Sequence, residues 1–326
     1  MSRSGAPAVL EVRDLAVAAG RTDPVEIVHG IDLTLRAGET VGVVGESGSG
    51  KSVTMLALMR LLGDPLHISR GHVRFRGRDL AALREPEMRA LRGREIAMVY
   101  QDPMTSLNPF MRVGDQVTEA LLVHGVDREE ATARCLELFA RVGIPDPPRT
   151  VRAYPHEFSG GMRQRVVIAM ALALRPALLI ADEPTTALDV TIQQQILGLV
   201  AELQREMGMA TIWVTHDLGV VARLVERVVV MYGGHVVEDA PVAQLFAAPQ
   251  HPYTELLLAS LPNPTGERGP LAQIPGRPPL PSERVTGCAF RPRCPQARDI
   301  CATVPPLAQR AAGRAACWVP PQEWSA

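Results

Sequence analysis

The chain has 326 residues, 46% hydrophobic and 21% charged, a balance typical of globular proteins that excludes wholesale disorder. The 34 basic and 35 acidic residues leave a net charge of −1, so no overall positive field favours nucleic acid as a partner. The longest apolar run, 166–174, is far shorter than the roughly 20 residues that cross a bilayer. With no secretory signal pattern at the N-terminus, we expect a cytoplasmic protein without a membrane span.

The first half of the chain predicts a sheet, a loop and a helical insertion. Short β-like runs over 9–35 indicate antiparallel strands with polar residues facing outward. An apolar strand at 41–44 then leads through a glycine-rich loop into a helix over 53–62. Between 83 and 157, charge-rich helical stretches broken by prolines predict a mainly helical insertion.

In the second half, strands and helices alternate. This order predicts a parallel sheet covered on both faces, so the fold class is α/β. The predicted elements are a helix at 162–174, a strand at 177–181, a helix at 191–207, a strand at 210–215 and a hairpin over 228–238. Beyond residue 261, proline, glycine and cysteine dominate and predict a small appended module.

The glycine-rich loop is the first candidate site, because it matches the phosphate-binding pattern G-x-x-x-x-G-K-S. In such a loop, backbone N–H groups and the following helix N-terminus face a phosphate chain. Lys51 would reach the β- and γ-phosphates and Ser52 would ligate Mg²⁺. All but one of the 34 basic residues are arginine, and the exception is Lys51, which argues against a ligand-free turn. The nucleotide-binding residues predicted here are Gly45, Glu46, Ser47, Gly48, Ser49, Gly50, Lys51, Ser52 and Val53.

Polar side chains end the two later strands. Asp182 follows an apolar run at a position suited to the Mg²⁺ shell, and Glu183 could activate the attacking water. The alternative is a polar strand end that caps the next helix. His216 ends the strand at 210–215, at the carboxyl edge where open α/β sheets bind ligands.

A second serine- and glycine-rich turn lies at Ser159, Gly160 and Gly161, although one ATP does not need two such turns. The order of the loop at 45–52, Gln101, this turn with Gln164, Asp182-Glu183, Ala187-Leu188-Asp189 and His216 resembles the ATP-binding cassette (ABC) proteins. The resemblance covers about residues 8–260. We therefore expect a P-loop cassette over 1–260 with an antiparallel β subdomain and a helical subdomain at about 83–165. A cysteine-containing extension would occupy 261–326.

The resemblance also implies roles for individual residues. Two cassettes pair head to tail, so that Ser159, Gly160, Gly161 and Gln164 of one chain cover the ATP held by Lys51 of the other. Gln101 senses Mg²⁺ and water, Asp189 communicates across the interface, His216 contacts the γ-phosphate and Glu183 is the catalytic base. One departure is that residues 17–20 offer no aromatic ring to stack on adenine.

Residues 100–109, 251–254, 274–276 and the cysteine tail resemble the oligopeptide and dipeptide importer branch. This resemblance implies an ATPase subunit at the cytoplasmic face of the membrane that docks through the surface around 101–125. Its partners would be two integral-membrane permeases, a second cassette and, indirectly, an extracytoplasmic substrate-binding protein, with no nucleic acid. The alternatives are a nickel importer of the same branch and a soluble ABC ATPase outside transport.

The tail holds Cys288, Cys294, Cys301 and Cys317, with five, six and fifteen residues between them. Clustered cysteines in a cytosolic chain favour a metal over disulfides. No C-x-x-C pair supports zinc, whereas four thiolates match the ligand count of a four-iron four-sulfur cluster. Some importers of this branch carry such a cluster at similar cysteines. Zinc and reduced structural thiols remain alternatives.

Overall fold

The computed structural model describes residues 7–184, 189–261, 273–280, 283 and 285–324. The chain divides into two compact units. The first comprises the described parts of 1–9, 36–39 and 80–212, and the second those of 10–35, 40–79 and 213–326.

The strands of the described residues follow in chain order. They are β1 (Ala8–Ala19), β2 (Val25–Arg36), β3 (Thr40–Val44), β4 (Leu66–Phe75), β5 (Arg78–Asp79), β6 (Ile96–Val99), β7 (Leu178–Asp182), β8 (Ala210–Thr215), β9 (Arg227–Tyr232), β10 (His235–Pro241), β11 (Ala308–Arg310) and β12 (Gly313–Ala315).

The helices of the described residues are α1 (Lys51–Leu58), α2 (Glu85–Leu91), α3 (Pro103–Ser106), α4 (Val113–Val123), α5 (Arg128–Arg141), α6 (Pro147–Thr150), α7 (Gly160–Leu172), α8 (Val190–Met207), α9 (Leu218–Leu224), α10 (Val242–Ala247) and α11 (Pro252–Ala259). Over the ranges that the structure describes, none of these helices has both the length and the apolar character needed to cross a bilayer.

The first unit is built on parallel strands with helices packed around them. Strands β6 and β7 pair in parallel, with Val99 opposite Ala181, and β8 begins in this unit beside β7. Every residue of β7 is buried, which explains its continuous apolar run. Helices α4, α5 and α7 pack on one another around fully buried Val117 and Phe139.

The second unit contains an antiparallel sheet and the larger part of a mixed sheet. The antiparallel sheet has the order β2-β1-β4-β5. In the mixed sheet, β3 and β9 are parallel, with Val41 opposite Arg227, and β10 returns antiparallel to β9 through a turn at Gly233 and Gly234. Strand β12 pairs antiparallel with β10. The tail of the chain therefore belongs to the same sheet as the strand that leads into the glycine-rich loop.

The structure confirms the predicted α/β cassette with its antiparallel sheet and helical region, and it differs from the sequence analysis in three places. The two β-like runs at 25–28 and 31–35 form one strand, β2. The expected helical insertion contains β6, a four-residue apolar run too short for its periodicity to reveal a strand. The expected appended tail module contains two short strands, β11 and β12, which join the mixed sheet. The proposed boundary at residue 261 adjoins 262–272, which lie outside the described residues.

Candidate nucleotide-binding and catalytic site

The glycine-rich loop is held between β3 and α1 in the second unit. A Cβ atom on Gly45 would lie 2.1 Å from the carbonyl oxygen of Met231 in β9, so only glycine fits there. The backbone N–H of Gly234, in the β9–β10 turn, donates to the Ser49 carbonyl at 3.1 Å. The β9–β10 hairpin therefore packs against one side of the loop. Ser47 and Gly48, at the tip of the loop, remain exposed.

Lys51 is the first residue of α1, and its side chain is buried inside the loop. Its Nζ donates to the carbonyl oxygens of Gly45 at 2.8 Å and Glu46 at 3.0 Å, and to Ser49 Oγ at 3.4 Å. Ser52 follows on the exposed first turn of the helix. This places an ammonium group and a hydroxyl at a helix N-terminus, the arrangement that binds phosphate and its metal ion.

A contact between the loop and the tail was not predicted from the sequence. Arg293 forms a two-point ion pair with Glu46, from Nη1 to Oε2 at 2.6 Å and from Nη2 to Oε1 at 3.1 Å. The Glu46 backbone N–H donates to the hydroxyl of Tyr253 at 2.9 Å. A bonded pair 247 residues apart leaves no local pattern, and the only sequence signal is the R-x-R-C run that contains Arg293.

In the first unit, the structure brings Gln101 and Glu183 together. Val99 of β6 pairs with Ala181 of β7, and the two strands are parallel. The residues two positions after each of them, Gln101 and Glu183, therefore lie side by side. Gln101 Nε2 donates to Glu183 Oε2 at 3.1 Å. Glu183 has a φ angle of +45°, an uncommon backbone conformation that concentrates at functional sites. Asp182, at the end of β7, is buried.

The serine- and glycine-rich turn begins α7 in the same unit. Ser159 is the N-cap, with its Oγ accepting from the Met162 backbone N–H at 3.3 Å, and Ser159 and Gly160 are exposed. A Cβ on Gly161 would lie 2.6 Å from Ile192 Cγ2, so this glycine allows α7 to pack closely on α8. Asp189 caps α8 by accepting from the Ile192 backbone N–H at 3.0 Å. Ala187 and Leu188, named with it, lie outside the described residues.

Two further predicted residues differ in their setting. His216 is exposed directly after β8, in the second unit. Gln164, expected to contact nucleotide, is only 1% exposed, because it shares one face of α7 with buried Val167 and Ile168. Among the described atoms, its Nε2 has no hydrogen-bond partner. The Gln164 side chain is therefore buried within the first unit, and its contact with nucleotide stays a prediction.

The four tail cysteines line one small cavity together with His251, Trp318 and Val319. Burial, with a smaller effect from the neighbouring thiols, raises the pKa of Cys294 to about 12 and of Cys317 to about 11. The Cys317 thiol donates to the Val319 carbonyl at 3.2 Å. None of the cysteines in the described part of the chain forms a disulfide, and Cys135 is a buried core residue on α5.

Two metal sites are predicted from the sequence, one at the tail cysteines and one for Mg²⁺ beside the ATP phosphates. Over the described residues, no group of three or more His, Cys, Asp or Glu side chains is arranged to hold a metal ion, so the structure does not support an iron–sulfur or zinc site at the cysteines. The Mg²⁺ set of Ser52, Gln101 and Asp182 offers a hydroxyl, an amide and a carboxylate oxygen. These are the donor types that Mg²⁺ binds.

Comparison with known proteins shows the family of the chain. Residues 28–186 match the ABC transporter family, and residues 237–301 match the family described as the oligopeptide/dipeptide transporter C-terminal region. The oligopeptide transport ATP-binding protein OppD of Salmonella typhimurium is 49% identical over 318 residues, covering 97% of this chain and 95% of that protein. OppD of Bacillus subtilis is 52% identical, covering 90% of this chain and 83% of that protein.

The fold is also similar to that of a solved ATP-binding cassette. The ATP-binding cassette MJ0796, in a dimeric post-hydrolysis state with ADP and phosphate, superimposes with a TM-score of 0.64 at 27% identity, covering 72% of this chain and 98% of that one. The fold and the nucleotide loop thus define an ABC-type ATPase. With the similarity extending through the tail, the chain belongs to the oligopeptide/dipeptide transport ATP-binding proteins of the ABC family.

Proposed function

We propose that this protein is the ATP-hydrolysing subunit of a membrane importer for di- and oligopeptides. The observation that carries the proposal is the presence, in one chain, of the Lys51 phosphate loop and a C-terminal region of the oligopeptide/dipeptide transporter type. The phosphate loop supports ATP as the substrate, and the relatives named for oligopeptide transport support the peptide cargo over nickel.

In the proposed mechanism, the loop backbone and Lys51 bind the ATP phosphates. Ser52, Gln101 and Asp182 would hold Mg²⁺, which when bound neutralises charge on the phosphate oxygens. Glu183 takes a proton from the attacking water. Its hydrogen bond from Gln101 orients the carboxylate.

The remaining predicted contacts belong to the same proposal. His216 would contact the γ-phosphate, and Ser159, Gly160 and Gly161 would cover ATP bound to a second cassette. The exposed positions of His216, Ser159 and Gly160 support these roles, because each can be reached from outside its own unit. Asp189, the exposed cap of α8, would lie at the interface between the cassettes. Closure of that interface on ATP would drive the permeases.

We propose the surface around residues 101–125 as the docking site for the two integral-membrane permeases. Three large apolar side chains of this stretch are exposed: Phe110 is 87% exposed, Val123 76% and Met104 57%. Apolar, exposed anchors of this kind suit a helix of a membrane partner. Docking there places the subunit peripherally at the cytoplasmic face, with the substrate-binding protein on the far side of the membrane.

The cysteine cavity carries a second, separate proposal, that the four thiols bind a four-iron four-sulfur cluster. Its support is that Cys288, Cys294, Cys301 and Cys317 all line one cavity, although over the described residues their side chains are not arranged as a metal site. Iron, acid-labile sulfide and zinc are measured on protein purified without oxygen, beside a Cys294→Ser variant. Iron and sulfide in equal amounts, lost in the variant, support a cluster. Zinc or no metal contradicts it, and no metal leaves a packed thiol cluster.

The test of function is uptake of a labelled tripeptide by cells whose only copy of this chain carries Lys51→Ala. We expect uptake to be lost, because the only ammonium side chain in the protein is removed from the phosphate loop. Arg74→Ala, which removes a positive charge from an exposed position on β4, is the matched control and should import normally. Normal peptide uptake with lost nickel uptake would indicate the nickel alternative. Unchanged uptake of both would contradict transport.

A further inference from the structure

One buried arginine of the tail, Arg293, binds both the tail segment at 274–275 and the phosphate loop. Arg293 is 5% exposed, and all five of its N–H groups have acceptors. Besides the two bonds to Glu46, Nη1 donates to the Tyr232 hydroxyl at 3.1 Å. Nε donates to the Pro275 carbonyl at 2.7 Å and Nη2 to the Ile274 carbonyl at 3.2 Å. A guanidinium bonded on every side has one position, so its geometry is fixed by the tail around it.

Phe290, three residues before Arg293, anchors the same turn to the body of the second unit. Its ring packs edge-on against Tyr232, with centroids 5.1 Å apart, and against Tyr253 at 5.3 Å. Tyr253 in turn accepts from the Glu46 backbone N–H. Glu46 is therefore held at two points: Arg293 of the tail binds its carboxylate, and Tyr253 of α11, on which Phe290 of the tail packs, binds its backbone.

Glu46 contacts Lys51, the phosphate-binding lysine of the loop. Its carbonyl oxygen accepts from Lys51 Nζ at 3.0 Å, and its backbone is part of the loop whose N–H groups face phosphate. A shift of Glu46 would move both the backbone and an acceptor of Lys51. The side chain of Glu46 is otherwise not needed for the phosphate pattern, in which this position accepts any residue.

We propose that Arg293 is a positioning residue for ATP binding, through which the C-terminal tail sets the conformation of the phosphate loop. It acts on Glu46 and does not touch the nucleotide. This gives the Ile274–Gly276 and 291–294 segments a role that the transport assignment leaves open: they place Arg293. The inference rests on the proposed ATPase function, and it assigns to the tail a direct influence on nucleotide affinity.

The experiment measures the Kd of the purified full-length chain for methylanthraniloyl-ATP, together with kcat and KM for ATP. For Arg293→Ala we expect Kd and KM to rise about tenfold, the loss expected for a charge-assisted bond that orders the loop. The kcat at saturating ATP should stay within about twofold. Arg291→Ala removes the same charge from the same helical turn and is the matched control, with unchanged Kd. Arg293→Lys should recover only part of the affinity, because an ammonium cannot form both bonds to Glu46.

A double-mutant cycle separates positioning from general destabilisation. If Arg293 acts through Glu46, Glu46→Gln weakens binding and the double variant binds no more weakly than Arg293→Ala. Additive losses, an unchanged Kd, or an equal loss in Arg291→Ala would overturn the proposal. Should Arg293→Ala not fold, Arg293→Lys and Glu46→Gln carry the same test. If the wild-type chain itself binds no ATP, the proposed ATPase function fails instead, so the two failures are distinguishable.

Discussion

Two glycines of the phosphate loop differ sharply in what surrounds them. On Gly45, with φ of +152°, a Cβ would lie 2.1 Å from the Met231 carbonyl oxygen and 2.9 Å from Ser49 Oγ. On Gly48, with φ of +78°, a Cβ would meet no heavy atom of the described residues within 4 Å. Substitution by alanine therefore tests the loop geometry at two positions that have the same chemistry but different amounts of space.

The expected magnitudes follow from these distances. Both variants incur about 1–2 kcal/mol for an L-residue in a left-handed conformation. Gly45→Ala adds an overlap with backbone, which cannot rotate away, and overpacking of this kind costs about 1–3 kcal/mol more. At 1.4 kcal/mol per factor of ten, we expect ATP to bind about tenfold more weakly in Gly48→Ala and at least about a hundredfold more weakly in Gly45→Ala.

The assay is titration of each purified variant with methylanthraniloyl-ATP, after circular dichroism has shown that the variant is folded at the assay temperature. The ratio of the two Kd values is the informative quantity, since it removes the strain common to both. Equal Kd values in the two variants, or weaker binding in Gly48→Ala, would refute the loop geometry on which the nucleotide site is built.

Three other predictions use different parts of the molecule. Burial and the neighbouring His29 lower the pKa of His235 to about 4, below its value of about 6.5 in the unfolded chain. The stability that depends on a neutral His235 is therefore present above pH 6.5 and is lost as the pH falls toward 4. Urea unfolding at pH 8 and pH 5 should show about 2 kcal/mol less acid destabilisation in His235→Gln than in wild type, and an equal loss in both would contradict this. Asp239, 4% exposed, accepts from Arg227 at 3.0 Å and from Arg314 of β12. Asp239→Asn should lower the free energy of unfolding by about 3–5 kcal/mol, because it removes the charge that both arginines bind. Arg314→Ala, which removes the more exposed of the two arginines, should lower it by much less. Similar losses in the two variants would contradict this role of the Asp239 carboxylate. Phe110→Ser, at a side chain 87% exposed, should leave ATP binding and stability unchanged but reduce tripeptide uptake; normal uptake would remove Phe110 from the docking surface.

Local patterns in the sequence predicted most of the cassette. The apolar strand before Gly45, the helix cap at Ser159 and the glycine pair of the β9–β10 hairpin each have a signature within a few residues, and each is present in the structure. The pairing of Gln101 with Glu183 depends on the parallel register of β6 and β7. The register is a property of the sheet, and it is not written in either segment.

Two features of the structure depend on which helix face a residue occupies or on contacts between distant residues, and local patterns do not give either. Gln164 follows two exposed turn residues in sequence, yet one turn of helix rotates it onto the buried face of α7. Arg293 and Glu46 are distant in sequence and meet where Phe290 packs the turn before Arg293 on Tyr232 and Tyr253. Composition alone predicts an appended module, because the tail has few apolar residues. In the structure those residues contact the rest of the second unit, as Phe290 does with Tyr232.

The central claim is that ATP hydrolysis by this chain energises peptide import. The most direct measurement is tripeptide accumulation in proteoliposomes that contain the permeases, both cassettes and the substrate-binding protein, with ATP enclosed. We predict accumulation with wild-type protein, and for Glu183→Gln we predict normal ATP binding with neither hydrolysis nor accumulation at this site. Normal ATP turnover and peptide accumulation in the Glu183→Gln complex would contradict the account.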